Sequence, residues 1–236
     1  MNKRTIIFVF SVLTVLVLVP LASADDTTNG AKPNAAEVLD KMQGFYKSTF
    51  DYQARFEQIY TDMAAGESKT TGGRVFLKKP GKMRWDYLDK GKGDKVSVKK
   101  VMVSNGSAFT IYEPEFNQFF RQCLKDSQLP TALSFLMGKG EMGKEFTPKL
   151  VSSKLPDTLA VEMTPKRSSG KYKKLVFVIS DKTFAVQEAQ IFDPYGNKNT
   201  LRFLAPLVNK QLPDQGFDFT APEGARNVGK SDLKCE

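Results

Sequence analysis

Two carboxylates that lie close together in the sequence could carry acid–base chemistry. Glu113 and Glu115 are two positions apart, the spacing that puts both side chains on one face of a β-strand. A pair of carboxyl groups is what most glycoside hydrolases use. Pro114 separates the two residues, however, and the surrounding sequence is typical of a loop. A solvated turn is therefore the favoured interpretation.

The composition argues against most other catalytic arrangements. The 236 residues include no histidine, which rules out Ser-His-Asp and Cys-His catalysis and the common zinc sites. No segment matches the glycine-rich phosphate-binding loop. The sequence therefore predicts a protein that is not an enzyme and that has no metal or cofactor.

Alternation of apolar and polar residues predicts a mainly β (α+β) fold. Asn105-Gly106 joins two alternating runs, and this dipeptide is a strong hairpin signal because both central turn positions need a positive φ. About ten or eleven antiparallel strands are expected, and a sheet of that size must curl or split into two layers. The predicted strands cover residues 50–62, 74–79, 83–88, 96–104, 108–112, 116–124, 146–152, 158–164, 174–180, 185–192, 200–204 and 217–219, with a tail from residue 225.

Two segments have helical periodicity. Asn34 and Glu37 have the spacing of a capping box, and the helix that they begin should end near Ser48. Residues 129–137 predict a second short helix with Pro130 in its first turn. Each helix has an apolar stripe that can cover an open end of the sheet. In the second helix this stripe consists of Leu133, Leu136 and Met137.

The N-terminus has the features of a secretory signal peptide. Lys3 and Arg4 precede an apolar run over residues 6–18, and Ala22-Ser23-Ala24 has the small-residue pattern of a cleavage site. We expect cleavage after Ala24, which leaves residues 25–236 as a single domain. The alternative is an uncleaved membrane anchor, but the cleavage pattern argues against it. No cysteine follows the apolar run, so a lipidation site is not predicted.

Export from the cytosol affects how the net charge and the two cysteines are interpreted. The formal net charge is +9; it indicates either a solvated basic surface or one that approaches anionic lipid headgroups. Export removes the chain from cytosolic nucleic acid, so no nucleic-acid partner is expected. Cys123 and Cys235 can form a disulfide in an oxidising compartment. Two free thiols, or pairing with another chain, are the alternatives.

The strands carry an unusual amount of apolar and aromatic surface. Large side chains of one parity recur on consecutive strands, around the turn at Pro80 and beside the Asn-Gly hairpin. On the strand at 174–180, either Phe177 or its neighbours Val176 and Val178 could face inward. Such a set fits a solid core or the lining of a cavity, since parity alone does not separate the two. The lining candidates are Leu77, Met83, Trp85, Phe109, Ile111, Phe177 and Phe203.

The order of these features resembles the LolA family of periplasmic lipoprotein carriers. The resemblance extends over nearly all of the chain after the signal peptide. It rests on short motifs in a shared order: Phe56-Glu57-Gln58, Lys78-Lys79-Pro80, Trp85, Ser104-Asn105-Gly106, Tyr112 with Pro114 and Gln118, and Phe217, Phe219, Pro222 and Gly224.

The resemblance implies an unclosed antiparallel β-barrel, with short helices as a lid, that encloses the acyl chains of lipoproteins. It also implies a monomer in the periplasm of a Gram-negative bacterium. An inner-membrane lipoprotein-releasing ABC transporter would load the carrier, and an outer-membrane lipoprotein acceptor would receive the cargo. Family members often have arginine where this chain has Lys79, which precedes Pro80. The side chain at position 79 is expected to hold the lid closed. Lysine offers a point charge instead of a planar fork.

Two other functions are compatible with the same features. A periplasmic sensor with this barrel would bind lipidated or mislocalised molecules and regulate an envelope signalling protein. An enzyme acting on envelope polymers is disfavoured by the absent histidine. The carrier hypothesis requires that the chain fold around an apolar chamber; tightly packed side chains with no room for an acyl chain, and no means of opening any, would contradict it.

Overall fold

A twelve-stranded sheet forms most of the computed structural model, which describes residues 33–90, 95–124, 141–168, 170, 172–229 and 235. The predicted signal peptide with its cleavage site after Ala24 lies outside these residues. So does the predicted helix over residues 129–137, with Leu133, Leu136 and Met137.

Two helices, two 3₁₀ turns and twelve strands follow one another along the described ranges. Neither helix in the described ranges is long and apolar enough to cross a membrane. The elements are α1 (Ala35–Ser48), β1 (Asp51–Asp62), β2 (Glu67–Lys78), β3 (Lys82–Lys90), β4 (Val96–Asn105), β5 (Ala108–Glu113), a 3₁₀ turn (Pro114–Phe116), β6 (Gln118–Cys123), α2 (Met142–Glu145), β7 (Phe146–Val151), β8 (Thr158–Pro165), β9 (Lys174–Ser180), β10 (Val186–Phe192), β11 (Lys198–Val208), a second 3₁₀ turn (Asp214–Phe217) and β12 (Arg226–Asn227).

The sheet is open. Its order is β12-β6-β5-β4-β3-β2-β1-β11-β10-β9-β8-β7, so among the described strands β12 and β7 are the two edges. Neighbours pair antiparallel, except that β12 pairs parallel to β6. The central pairing of β1 with β11 joins the two halves of the chain. The predicted fold class, a mainly β unclosed barrel, is confirmed.

The sequence prediction was wrong near the C-terminus. Residues 217–219 are not a strand; Phe217 ends a 3₁₀ turn, and the predicted tail contains β12. The alternation of Phe217 and Phe219 arises because both rings pack on the sheet surface. Phe217 is 2% exposed, and Phe219 lies 5.6 Å from the ring of Phe119. Within the described residues the sheet has twelve strands, compared with the ten or eleven expected.

The sixth strand also begins later than expected. Residue 116 was predicted to start it, but Phe116 belongs to the 3₁₀ turn and β6 starts at Gln118. Pro114 occupies the first position of that turn, where its missing N–H is not needed. Asn117 then adopts a left-handed conformation with φ of 43°. This turn replaces the first residues of the predicted strand.

One face of the sheet, which we call the inner face, carries the main core. Phe56 packs edge-on against Trp85 and Tyr87, with ring centroids 4.8 and 5.0 Å apart. Gly73 lies opposite Phe56 on β2, and a Cβ there would overlap the backbone carbonyl of Asp86. Only glycine therefore allows β2 and β3 to approach closely beneath the aromatic cluster.

The opposite, outer face is crossed by residues 209–229, which we call the outer strap. The buried carboxylate of Asp51 accepts hydrogen bonds from the backbone N–H groups of Lys210 and Gln211, both at 2.8 Å. Asp214 bridges Lys78 at 2.6 Å and Lys82 at 2.8 Å. Hydrogen bonds from these two lysines lower the pKa of the Asp214 carboxyl to about 2. The strap is thus fixed by polar contacts at its start and by the buried Phe217 beyond them.

A disulfide joins Cys123, at the end of β6, to Cys235, with the two Cα atoms 5.2 Å apart. The Cys123 side chain lies on the outer face, and so the bridge holds the end of the chain beside the sheet edge that β12 covers. Such a bridge stabilises the fold mainly because it closes a loop in the unfolded chain and so lowers the conformational entropy of the unfolded state.

Breaking the disulfide should lower the free energy of unfolding by about 4–5 kcal/mol, because the bridge spans 112 residues of sequence. Urea unfolding with and without reductant measures this change. The Cys123→Ser/Cys235→Ser double variant should match the reduced protein and show no further response to reductant. Identical midpoints for oxidised and reduced wild-type protein would contradict the prediction.

Candidate functional site

The predicted lining residues of the described strands share the inner face. Leu77 on β2 lies opposite Met83 on β3, and Phe203 on β11 lies opposite Phe56 on β1. Phe177 faces the same side and is fully buried. Its neighbours Val176 and Val178 therefore point outward. The lining candidates that are buried here are Leu77, Met83, Trp85, Phe109, Phe177 and Phe203, and Ile111 is partly buried.

Helix α1 covers much of this face. A capping box begins the helix as predicted, with the Asn34 side chain accepting from the backbone N–H of Glu37 at 2.9 Å. The apolar stripe that follows is at most 1% exposed and consists of Val38, Leu39, Met42 and Tyr46. It belongs to the same packed cluster as the strand residues. In this conformation the helix occupies the space that the sequence analysis assigned to an empty chamber.

The side chain of Lys79 joins the β2–β3 turn to the end of α1. Its Nζ donates hydrogen bonds to the backbone carbonyls of Tyr46, at 2.6 Å, and Lys47, at 3.0 Å. These carbonyls belong to the last turn of the helix, where carbonyls lack the usual i+4 donor; the Tyr46 carbonyl also accepts a 3.4 Å hydrogen bond from the backbone N–H of Thr49. A cation at a helix C-terminus also interacts favourably with the helix dipole. Desolvation lowers the pKa of Lys79, and the adjacent Pro80 is exposed at the rim.

Tyrosine hydroxyls supply the other polar contacts of the inner face. The Tyr46 hydroxyl oxygen accepts a hydrogen bond from the backbone N–H of Val186 at 3.1 Å, which ties α1 to β10. Tyr87 donates to Gln58 Oε1 at 3.0 Å, and Gln58 donates in turn to Asn199 at 3.0 Å. Burial raises the pKa of Tyr46, and it raises that of Tyr87 to about 12. Both groups therefore stay protonated and neutral.

The inner face is less completely covered on β4, β5 and β6. Met102 and Ile111 are cross-strand neighbours there and are only partly buried. Phe120, opposite Ile111 on β6, is 39% exposed. Accessible apolar side chains on this part of the inner face continue directly into the buried cluster around Phe109 and Trp85.

The carboxylates considered for catalysis are not arranged as a pair. Glu113 ends β5 and accepts a hydrogen bond from Gln118 Nε2 at 3.2 Å, whereas Glu115 lies exposed in the 3₁₀ turn. In the part of the chain that the structure describes, no group of three or more cysteine, aspartate or glutamate residues is placed to hold a metal ion.

Several inner-face residues were missing from the sequence-based set of lining candidates. Tyr52 and Phe56 have the parity that faces inward on β1, and this signal was available in the alternation of residues 50–62. Met142, Phe146 and Met163 also belong to the cluster. Met142 has no such signal, because α2 spans only four residues and its burial depends on contact with α1.

Comparisons with known proteins agree with this architecture. The model of the family described as outer membrane lipoprotein carrier protein LolA matches residues 47–220. That match spans well over half of the chain, and the chain therefore belongs to the LolA family.

Relatives and solved structures extend the comparison. The outer-membrane lipoprotein carrier protein of Methylobacillus flagellatus is 26% identical over 196 residues, covering 83% of this chain and 90% of the relative. The protein of the same name from Dechloromonas aromatica is 25% identical over 195 residues, covering 83% and 89%. A crystal structure of an uncharacterized conserved protein from Thermus thermophilus has a TM-score of 0.53 at 13% identity and covers 83% of this chain and 99% of its own, a likeness of fold.

Removal of the Lys79 ammonium should loosen α1. In Lys79→Met the two helix carbonyls lose their charged donor, so the α1 amides should exchange faster with deuterium, by roughly tenfold if one charged hydrogen bond of about 1.5 kcal/mol is lost. Hydrogen exchange read by mass spectrometry measures this. Lys79→Arg should keep exchange within about threefold of wild type, since arginine retains the donors.

Lys78→Met provides the matched control. Lys78 is the preceding residue, but its ammonium binds Asp214 and the Leu212 carbonyl on the outer face. Its replacement should leave α1 exchange unchanged. Equal α1 exchange in Lys79→Met and wild type would show that the Lys79 contacts do not hold the helix.

Proposed function

We propose that this protein is a periplasmic carrier that binds the acyl chains of lipoproteins against its inner face and moves them from the inner to the outer membrane. The observation that carries the proposal is a large aromatic inner face onto which, within the described residues, the amphipathic helix α1 packs its apolar stripe. Family membership and the name that its relatives share support it. The proposed role is binding and transport without catalysis.

The energetics of the cargo explain why such a face is needed. Moving a sixteen-carbon acyl chain from lipid into water costs about 12 kcal/mol, at about 0.8 kcal/mol per CH₂ group, and three chains cost about 35 kcal/mol. A shuttle must therefore hide nearly all of the acyl surface during transit. Broad apolar contacts without many directed bonds meet this need and still allow release to the next acceptor.

The empty protein faces a related problem. An exposed apolar face of this size would promote aggregation, and α1 prevents this by packing its stripe of Val38, Leu39, Met42 and Tyr46 onto the sheet. In the proposed cycle α1 moves away when acyl chains enter, and it returns after delivery. Lys79 and Tyr46 make polar contacts that hold the helix, but the main cost of moving it is exposure of its apolar stripe, which the entering acyl chains would replace on the sheet.

The partners follow from the proposed role. An inner-membrane lipoprotein-releasing ABC transporter would supply the cargo, and an outer-membrane lipoprotein acceptor would take it. The predicted signal peptide would deliver the chain to the periplasm of a Gram-negative bacterium, where residues 25–236 would act as a monomer. A basic surface, with a net charge of +9 for the whole chain, would favour approach to anionic membranes.

Purified protein comprising residues 25–236 should release lipoproteins from spheroplasts as a soluble one-to-one complex. Size-exclusion chromatography with immunodetection of the lipoprotein measures the release. Ile111→Glu should abolish it, because a charge on the partly buried inner face opposes acyl binding. Leu204→Glu is the matched control on the outer face, where Leu204 is 45% exposed, and it should behave as wild type.

Other outcomes of this assay contradict the proposal. Failure of the wild-type protein to release lipoprotein would exclude a carrier, and recovery of a cleaved lipid would indicate an enzyme. Equal release by wild type, Lys79→Leu and Lys79→Arg would remove Lys79 from the mechanism.

A further inference from the structure

The hydroxyl of Tyr52 is a buried polar group without a partner. Tyr52 lies on the inner face of β1, is 2% exposed, and its hydroxyl oxygen has no hydrogen bond within the described part of the chain. Its neighbours include two apolar side chains: Leu77 lies opposite it on β2, and the Phe203 ring lies edge-on with centroids 6.0 Å apart. Tyr46 is also close enough to raise the pKa of Tyr52, although burial is the larger cause.

This arrangement is unfavourable for the closed protein. Burying a hydroxyl without a hydrogen bond destabilises a fold, and buried hydroxyls are nearly always paired. Two other tyrosines of the inner face follow this rule, since the Tyr46 hydroxyl is hydrogen-bonded to Val186 and that of Tyr87 to Gln58. Phenylalanine at position 52 would fill the same space without the cost. The closed conformation therefore gives no reason for the Tyr52 hydroxyl.

The position of Tyr52 indicates where a partner would come from. It is the second residue of β1 and shares a small recess with Thr49, Leu77 and Lys79. Lys79 binds the last turn of α1 at this end of the helix. Movement of α1 away from the sheet would uncover Tyr52 and Lys79 together, at the boundary between the rim and the apolar inner face.

An acylated lipoprotein has a matching boundary. Its ester carbonyls lie where the acyl chains meet the glyceryl group, so they are hydrogen-bond acceptors at the junction of apolar and polar parts. Burial raises the pKa of the Tyr52 hydroxyl, which stays protonated and can donate.

We propose that the Tyr52 hydroxyl donates a hydrogen bond to an ester carbonyl of the acylated glyceryl group when cargo is bound. This inference rests on the proposed carrier function and adds a preference to it. The inner face would accept any long acyl or alkyl chain, whereas Tyr52 would favour ester-linked acyl chains over ether-linked alkyl chains and fix the depth at which the glyceryl group stops.

Two synthetic probes and one substitution test the proposal. The probes are a lipopeptide whose cysteine carries a glyceryl group with two palmitoyl esters, and the same lipopeptide with two hexadecyl ethers. Binding is followed through the fluorescence of Trp85, the only tryptophan, which lies on the inner face. Wild type should bind the ester roughly 3- to 10-fold more tightly than the ether, the range expected for one hydrogen bond. Tyr52→Phe should bind both equally, at the affinity of the ether.

Measurements of thermal stability test whether the Tyr52 hydroxyl has only a structural role. Tyr52→Phe should unfold at the same temperature as wild type or higher, because the substitution removes an unpaired buried hydroxyl. Tyr46→Phe is the control: it leaves the Val186 N–H without its acceptor, should unfold at a lower temperature, and should shift the affinity for both probes by one common factor. Its ratio of ester to ether affinity should equal that of wild type.

The outcomes separate the inference from the function on which it rests. The same ester preference in wild type and Tyr52→Phe, or none in either, would overturn the role of Tyr52 and leave the carrier intact. Failure of wild type to bind either probe would overturn the carrier function and the inference together.

Discussion

An apolar inner face must be covered in every state of this protein, and the rest of the structure follows from that constraint. Burial of apolar surface contributes about 25 cal/mol for each Å² removed from water, so a face that carries Phe56, Trp85, Phe177 and Phe203 cannot remain exposed. Helix α1 covers much of it in the structure. Under the proposed function, cargo and helix compete for the same surface, and the affinity for cargo is the difference between two similar apolar contacts. That difference is far smaller than the free energy of transferring the acyl chains into water. The protein can therefore shield the acyl chains from water and still release them.

Competition of this kind requires a sheet that keeps its shape while the helix moves, and the outer face supplies the restraint. Asp51 holds the start of the outer strap through backbone N–H groups, Asp214 bridges lysines on two strands, and the Cys123–Cys235 disulfide ties the end of the chain to β6. These contacts are polar or covalent and lie on the side away from α1. The inner face, in contrast, has few directed bonds to the helix. Under the proposed function, the interactions that fix the sheet would lie on the outer face, and those that give way to cargo would lie on the inner face.

The sequence predicted the helices and strands better than it predicted the surfaces against which they pack. Period-2 alternation located the strands around Asn105-Gly106, and the capping box located α1, because these signals are local. Residues 67–73 of β2 were missed since they are polar residues and glycines with no alternation to read. Phe217 and Phe219 were misread as a strand because alternation indicates only that both side chains pack against the protein, not that their backbone crosses the outer face. Parity assigned the lining residues to one face, but whether α1 or empty space lies opposite them depends on tertiary contacts that parity does not contain.

Under the proposed function, the contacts at the end of α1 would set how readily the inner face opens. Lysine at position 79 offers its carbonyl partners a point charge on a flexible stem, whereas arginine would offer a rigid fork. Both can cap the last turn of a helix, but a flexible donor follows small movements of the helix without losing its bonds. Desolvation lowers the pKa of Lys79, so burial opposes the charge that the helix dipole favours. The net hold on α1 is therefore weaker than the short distances alone indicate. A weak hold suits a cover that must leave whenever an acyl chain offers a comparable apolar contact.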